Sequence, residues 1–390
     1  MPATDTQTLP PIMAANIANQ VYTVLPANLS MQDAYEFSGG FGLENEFEVE
    51  NQNKLHGTSG PLFLKATTGF GYCAKGTRKK GRQSEAVIAL RGTATFADAL
   101  TDGNIGLQSG PYKGTLVHAG FNDTFGSFSG DINSFLISCR ASGINLIHCV
   151  GHSLGGALAT LTAAVARENG FAAKLYTFGC PRVGGHGFAS TLTREVSAEN
   201  IYRAYHLSDP ISMIPIFPFA HVPESLTGIQ LKRSGLLINP YSHKMENYIA
   251  SVKESDWQGL RNQSQALDMQ QRSSLWLKYA DGVPGSAGDL LRIKQALSRI
   301  ITKLAGMAVG TTFTGAVTVL DRLAWLLTTG AHVSIKIGED IKGVLGSMLG
   351  FLGRVVSGAI NVTYYFVKWV LGLLLKSLQT AAILAVLKTF

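Results

Sequence analysis

Val150-Gly151-His152-Ser153-Leu154-Gly155-Gly156 follows a short apolar run, Leu146 to Val150, and leads into an alanine-rich segment, Ala157 to Arg167. That order reads as strand, sharp turn and helix, with a serine at the apex. A serine on such a turn is forced into an unfavourable backbone region, so the positions two before and two after it must be small. Both are glycine, Gly151 and Gly155. The turn lifts the Ser153 hydroxyl clear of the sheet and sets it at a helix N-terminus, where the dipole and free N–H groups favour developing negative charge. Alone, a G-x-S-x-G pattern is weak in a chain with 43 glycines. Its placement between an apolar strand and a helix former gives it weight.

Working outward, 390 residues suffice for one large α/β domain of about 250 residues and a smaller part. Residues 301–390 hold 8 of the 33 Lys and Arg but only 3 of the 26 acids, so most of the net charge of +7 sits on the most apolar part of the chain. Basic charge on continuous apolar sequence points to an anionic membrane surface and away from nucleic acid, although a solubilising charge on an ordinary helical domain reads the same way. Cys73, Cys139, Cys149 and Cys180 have no metal spacing, and Cys149, on the strand before the turn, is expected as a buried free thiol. The polar lead Met1 to Pro11 carries no Lys or Arg and has no secretory-signal pattern.

In chain order, residues 1–11 are expected as a disordered lead and Ile12 to Val24 as a helix. Glycine-rich β-like stretches follow around Phe37 to Phe47 and Leu62 to Cys73, then a buried strand Ala86 to Leu90 that ends in Arg91-Gly92-Thr93. An oxyanion needs two backbone donors, one after the nucleophile and one from an early strand-to-helix loop; Leu154 and Thr93 fit those places. Ala94 to Gly106 is either a mobile lid or a fixed helix, with Asp98 and Asp102 as structural partners. Asn122 to Ala141 reads as one helix, Ala173 to Phe178 and Ile201 to Leu207 as strands, and Phe188 opens a helix. Strands alternating with helices predict a mainly parallel, doubly covered sheet with its reactive groups at the carboxyl ends of the strands.

An attacking serine needs a base, and the base needs a carboxylate. With the order Ser, acid, His, the bases left after Asp209 are His221, His243 and His332. His221 has apolar neighbours and His332 lies in the apolar tail, whereas His243 follows the turn Asn239-Pro240-Tyr241-Ser242 and opens a helix. Asp209 follows a strand and is rigidified by Pro210, unlike Asp256, Asp268 and Asp281 in polar, irregular sequence. No metal or phosphate-loop motif occurs, so no metal and no cofactor are expected.

Several blocks in register resemble the class 3 lipase family: Ala89-Leu90-Arg91-Gly92-Thr93, Val117-His118-Ala119-Gly120-Phe121, Gly151 to Ala157, Tyr176 to Gly184, Asp209-Pro210 and His243 to Tyr248. The resemblance covers roughly residues 80 to 250. It implies an α/β-hydrolase fold with Ser153 as nucleophile, Asp209 as acid, His243 as base, and Thr93 with Leu154 as oxyanion donors. It further implies hydrolysis of acylglycerol or phospholipid esters without a cofactor.

The expected organisation is a hydrolase domain at 1–252, a polar helical or linker segment at 253–300 and a hydrophobic basic tail at 301–390. Leu304 to Leu320 is free of charge, Arg354, Lys368 and Lys376 form a basic stripe, and Gly306/Gly310 and Gly346/Gly350 have the spacing of close-packed membrane helices. The tail is therefore expected to embed in or lie on a membrane; a soluble helical cap and a partner-binding helix pair are the alternatives. These features predict a membrane-associated lipase or phospholipase exported without a secretory signal, as a bacterial toxin would be. The alternatives are a pore-forming protein with a secondary hydrolase domain and a soluble esterase. Expected partners are the lipid substrate and an anionic membrane surface, with any chaperone, inhibitor or immunity protein left open. Removal of 301–390 is expected to leave a working hydrolase.

Overall fold

The structure is a computed structural model that describes residues 7–23, 46–59, 66–92, 106–216, 218–224, 228–232, 237–275, 284–306, 318–354 and 359–389. The strands in order are β1 (Phe47–Ser59), β2 (Ala66–Gly76), β3 (Glu85–Leu90), β4 (Leu107–Ser109), β5 (Leu116–His118), β6 (Leu146–His152), β7 (Ala172–Phe178), β8 (Gly184–Gly185), β9 (Ile201–Tyr205), β10 (Phe219–Ala220) and β11 (Ile229–Gln230). The main sheet has the order β1-β2-β3-β6-β7-β9-β11. From β3 to β11 every pairing is parallel, while β1 and β2 add an antiparallel edge. This is the mainly parallel α/β-hydrolase sheet expected from the sequence. A small antiparallel sheet, β10-β8-β5-β4, lies apart from it.

Strand alternation explains why both faces must be covered. Ala86, Ile88, Ile147, Cys149 and Leu175 enter one apolar layer, whereas Val87, Ala89, Val150, Tyr176 and Phe178 enter another. The second layer is closed by α1 (Pro11–Gln20), through Ala14, Ala15, Ile17 and Ala18. The first is covered by α2 (Ala119–Gly126), α3 (Ser129–Ala141), α4 (Leu154–Glu168) and α5 (His186–Val196). α4 can lie flat because its alanines leave little between backbone and sheet: Ala157, Ala159, Ala163, Ala164 and Ala166 are fully buried.

Several expectations need correction. Leu9 is not part of a disordered lead; it is buried, its carbonyl accepts from Trp257 Nε1 at 2.8 Å, and its N–H donates to Tyr176 Oη at 3.1 Å. The helix expected over Asn122 to Ala141 is two helices, because the chain turns between Gly126 and Ser129 and sends Phe125 and Phe128 into the core. All four cysteines are buried free thiols. The β-like stretch before Glu46 and residues 94–105 of the lid segment lie outside the described residues.

The C-terminal part begins with α6 (Met245–Val252) and α7 (Trp257–Leu275), followed by α8 (Ala287–Gly306), α9 (Val319–Ala331), α10 (Ile335–Phe351) and α11 (Tyr364–Thr389). No break in packing coincides with residue 252, since Trp257 and Leu260 belong to the same apolar layer as α1. Nor does one fall at 300: Leu290, Ile293, Leu297, Leu323, Leu345, Val370, Leu374 and Leu378 share one cluster with Leu154, Ile211 and Ile214 beside the main sheet.

The tail's surface also differs from the expected one. Lys368 is paired with Asp321 at 2.5 Å and Arg354 lies over the Trp369 ring, so two of the three stripe residues have partners within the chain while staying exposed on its surface. A Cβ built on Gly350 meets nothing within 4 Å, so the Gly346/Gly350 spacing is not a close-packing groove. Gly330 serves that purpose instead, with a Cβ there 2.5 Å from Leu304 Cδ1. Among the described residues, the helix Tyr364–Lys388 alone is long and apolar enough to cross a membrane. One side of it is already committed to the protein core through Val367, Val370, Leu371 and Leu374.

Candidate active site

Ser153 follows directly on β6 and precedes the first residue of α4. Its φ of 58° is one of two positive values on non-glycine residues among those described, and such strain at a strand-to-helix turn is what makes a side chain protrude. The flanking glycines are required by contact: a Cβ on Gly151 would stand 2.1 Å from the Gly155 carbonyl oxygen, and one on Gly155 2.1 Å from that of Leu90. The Ser153 N–H is held by Phe178 O at 3.0 Å. The Leu154 N–H lies at the free end of α4.

The loop after β3 reaches the same point. A Cβ on Gly92 would lie 3.2 Å from Ser153 Cβ and 3.5 Å from Leu154 N. The end of β3 therefore abuts the Ser153 turn. Thr93 itself, with Asp98 and Asp102, lies outside the described residues.

Asp209 and His243 come from loops 34 residues apart and meet with His243 Nδ1 donating to Asp209 Oδ2 at 2.8 Å; both side chains are fully buried. Asp209 sits beyond β9, and His243 ends a short 3₁₀ turn, Pro240–His243, whose start is capped by the Asn239 side chain accepting from Tyr241 N. Asp209 Oδ2 also accepts from Tyr248 Oη at 2.5 Å, and its Oδ1 accepts from Ile211 N at 2.9 Å. Burial pushes the Asp209 carboxyl up, but His243 and the hydrogen bonds from His243, Tyr248 and Ile211 outweigh it and hold its pKa below the ordinary carboxylate value. With Nδ1 committed, the buried His243 Nε2 has no hydrogen-bond partner among the described residues. It is the nitrogen available to take a proton.

The other candidate bases lie elsewhere. His221 Nε2 donates to Ser212 O at 2.9 Å, and His332 is the residue that follows α9, its backbone N–H bonded to Thr329 O. Asp256 accepts from Gly259 N at 2.6 Å as a helix cap.

Three residues at the site carry no role in the sequence reading. His152 stacks on His243 with centroids 4.4 Å apart and donates from Nε2 to His243 O at 2.8 Å. A carbonyl only accepts, so Nε2 carries the proton and Nδ1 accepts from Tyr22 Oη at 2.6 Å. Burial, then His243, push the His152 pKa well down, which keeps that ring neutral. Tyr22 also meets the Gly92 backbone. Gly92, Tyr22 and His152 thus link the loop after β3 to His243. Tyr248, on α6, fixes the carboxylate. His152 and Tyr248 stand inside recognisable motif blocks and were legible as constituents of them; Tyr22, 130 positions before His152, gave no signal.

Two substitutions test this geometry. Gly179 has φ of +56°, and a Cβ there would lie 2.6 Å from Asp209 Oδ2, 2.9 Å from His243 Nδ1 and 2.9 Å from Tyr248 Oη. Gly179→Ala is expected to add about 1–2 kcal/mol of backbone strain and to displace the acid–base pair. A shift of about 1 Å lowers turnover by about 10², to be read as kcat beside the melting temperature; wild-type kcat in a folded variant would refute the placement. Tyr248→Phe removes a hydrogen bond to a charged group, worth about 1.5–3 kcal/mol. Turnover is expected to fall by about ten- to a hundred-fold with KM little changed, and a KM effect alone would show that Tyr248 does not position the acid.

A family model described as Lipase (class 3) matches residues 87–219. Among known proteins, secreted mono- and diacylglycerol lipase 1 of Fusarium solani is 35% identical over 159 residues, which is 40% of this chain and 46% of that protein. Secreted mono- and diacylglycerol lipase A of Penicillium cyclopium is 32% identical over 142 residues, 36% of this chain and 46% of that protein. The chain thus spans about half the length of these curated relatives. The solved lipase of Rhizopus microsporus var. chinensis aligns with a TM-score of 0.39 and 23% identity, covering 56% of this chain and 71% of that one. These findings correct one expectation. A membrane-associated protein exported by a specialised route does not fit relatives that are named as secreted lipases.

Proposed function

We propose that this chain, which belongs to the class 3 lipase family through residues 87–219, hydrolyses carboxylic esters of acylglycerols. Ser153 is the nucleophile, His243 the general base and then acid, Asp209 the group that orients and stabilises the imidazolium, and the N–H groups of Leu154 and Thr93 the oxyanion donors. In this reading the Ser153 oxygen attacks the ester carbonyl while its proton passes to His243 Nε2. The tetrahedral intermediate collapses as the same proton goes to the departing glycerol oxygen, and water then repeats the sequence on the acyl-serine.

The observation that carries the reading is the His243 Nδ1–Asp209 Oδ2 contact of 2.8 Å with Nε2 left unpartnered. Anchoring or pore formation gives no reason for a buried acid–base pair beside a strained serine. The substrate class leans on relatives named mono- and diacylglycerol lipases, and their description as secreted favours action outside the cell.

The test is a lipid panel of mono-, di- and triacylglycerol, a phosphatidylcholine and a short soluble ester, read by released fatty acid. Labelling of Ser153 by an alkyl phosphonate, located by mass spectrometry, runs beside it. Acylglycerol hydrolysis blocked by that label is expected. A labelled protein that cleaves only the phospholipid, or only the soluble ester, sinks the substrate assignment; no label at all sinks the mechanism.

A further inference from the structure

His152 is a fully buried imidazole with a partner on each nitrogen. Its Nε2 meets His243 O at 2.8 Å, with the two rings stacked 4.4 Å apart, and its Nδ1 meets Tyr22 Oη at 2.6 Å. The direction of this chain has one solution. A carbonyl has no proton to give, so His152 Nε2 carries one; a neutral ring then presents a lone pair at Nδ1, and the phenol must donate to it. Burial, then His243, push the His152 pKa well down and keep the ring neutral. Without the phenol, Nδ1 would be an unpaired buried acceptor, and only the His243 carbonyl would be left to select the tautomer.

The phenol is itself held in place. Tyr22 lies on the 3₁₀ turn Val21–Thr23 that continues α1. The start of α1 is pinned to the sheet, because Lys174 Nζ donates to Thr8 Oγ1 at 2.6 Å and Leu9 is bonded through both its N–H and its carbonyl. Along the helix Ala14, Ala15 and Ala18, and Val21 beyond it, are fully buried, so it cannot slide without opening that layer. At the far end Arg91 Nη1 donates to Tyr22 O at 3.4 Å, and Gly92 lies so near the phenol that a Cβ there would stand 3.4 Å from Oη.

What His152 holds matters because of where it stands in the chain. It immediately precedes Ser153, on the strained turn, and the group it grips is the backbone carbonyl of His243. The Asp209 contact fixes the Nδ1 edge of the His243 ring. How far the opposite edge stands from Ser153 follows from the position of the His243 backbone, and the His152 side chain ties that backbone to the residue beside Ser153.

We propose that Tyr22 is a positioning residue for ester hydrolysis that acts through His152. Its hydroxyl fixes the imidazole in the tautomer that grips the His243 carbonyl, and so keeps His243 Nε2 aligned on the Ser153 oxygen. This inference rests on the reading of Ser153 as nucleophile and His243 as base. Tyr22 touches neither substrate nor reacting atoms, so its loss lowers turnover and leaves substrate binding almost unchanged.

The test uses the full chain at pH 7, with a short soluble ester and with Ser153 labelling by an alkyl phosphonate. Tyr22→Phe, which removes one oxygen, is expected to lower kcat and the labelling rate about ten- to a hundredfold with KM little changed. A double-variant cycle then separates a route through His152 from general loosening. In His152→Phe the further change Tyr22→Phe should cost less than about twofold, whereas independent losses would multiply. His152→Gln, whose amide can still donate to His243 O, should keep more turnover than His152→Phe. Nitrogen-15 NMR of the histidine-labelled chain reads the tautomer without any turnover: the proton is expected on His152 Nε2, and the Nδ1 signal is expected to move in Tyr22→Phe. Parent kcat in a folded Tyr22→Phe, losses that multiply in the double variant, or a proton on His152 Nδ1 overturns the proposal. A parent chain that neither cleaves the ester nor takes the phosphonate refutes the lipase reading itself, and the NMR result then still decides the hydrogen-bond chain.

Discussion

Ser153→Ala and His243→Ala are each expected to lower ester turnover by about 10⁴- to 10⁶-fold, with the double variant little worse than either single one, because nucleophile and base act as a unit. The reason lies in how His243 is held. Its Nδ1–H is fixed on Asp209 at 2.8 Å, its carbonyl is held by His152, and its ring is stacked on the neutral His152 ring. Nothing else among the described residues of the site offers an imidazole nitrogen so placed. Asp209→Asn is expected to cost about 10⁴ in kcat, and the cause is specific. Oδ2 faces two donors, from His243 and Tyr248, while Oδ1 faces the Ile211 N–H. Either orientation of an amide therefore sets its NH2 against a donor. Soluble-ester kinetics on folded variants decide the matter. Loss of turnover in His221→Ala with turnover kept in His243→Ala would reverse the assignment of the base.

The strained turn at Ser153 was legible because its demands are local: it requires small residues at Gly151 and Gly155, close by in the chain. The meeting of Asp209 and His243 was legible for a related reason, since Pro210 and the turn Asn239-Pro240-Tyr241-Ser242 mark fixed loops at the ends of elements. Tyr22 was not legible. Its role depends on α1 crossing the sheet so that the phenol reaches His152 Nδ1 at 2.6 Å, a tertiary fact with no local pattern. The tail misled for a different physical cause. An apolar helix with scattered lysines looks the same whether its apolar side meets lipid or protein, and only the partners of Lys368 and Val370, found far away in sequence, separate the two.

Removal of residues 301–390 is accordingly expected to destroy the hydrolase, contrary to what the Gly- and Pro-containing segment before α8 suggests. α11 packs across the 3₁₀ turn that ends in His243, where Lys388 lies over the Tyr241 ring at 5.3 Å. Backbone bonds carry the coupling further: Gly285 N–H to Phe351 O, Ile238 N–H to Gly285 O, and Asn239 N–H to Ser208 O, next to Asp209. The C-terminal helices thus brace the loops that carry Asp209 and His243. Val367, Val370, Leu371, Leu374, Leu378 and Val386 of α11 are buried. At about 1.5–3 kcal/mol for each such side chain, an upper estimate, their loss is about 10 kcal/mol, comparable with the whole stability of a domain, about 5–15 kcal/mol. A chain ending at Ile300 should therefore be insoluble or lack a cooperative melt, and should not turn over a short soluble ester that needs no lipid surface. The smaller cut before Leu384 keeps most of α11 but removes Lys388 from Tyr241. It should stay folded with a lower melting temperature and reduced kcat. If the chain ending at Ile300 melted cooperatively near the parent temperature and kept the parent's soluble-ester rate, the helices would be an appendage and the bracing of His243 would be wrong.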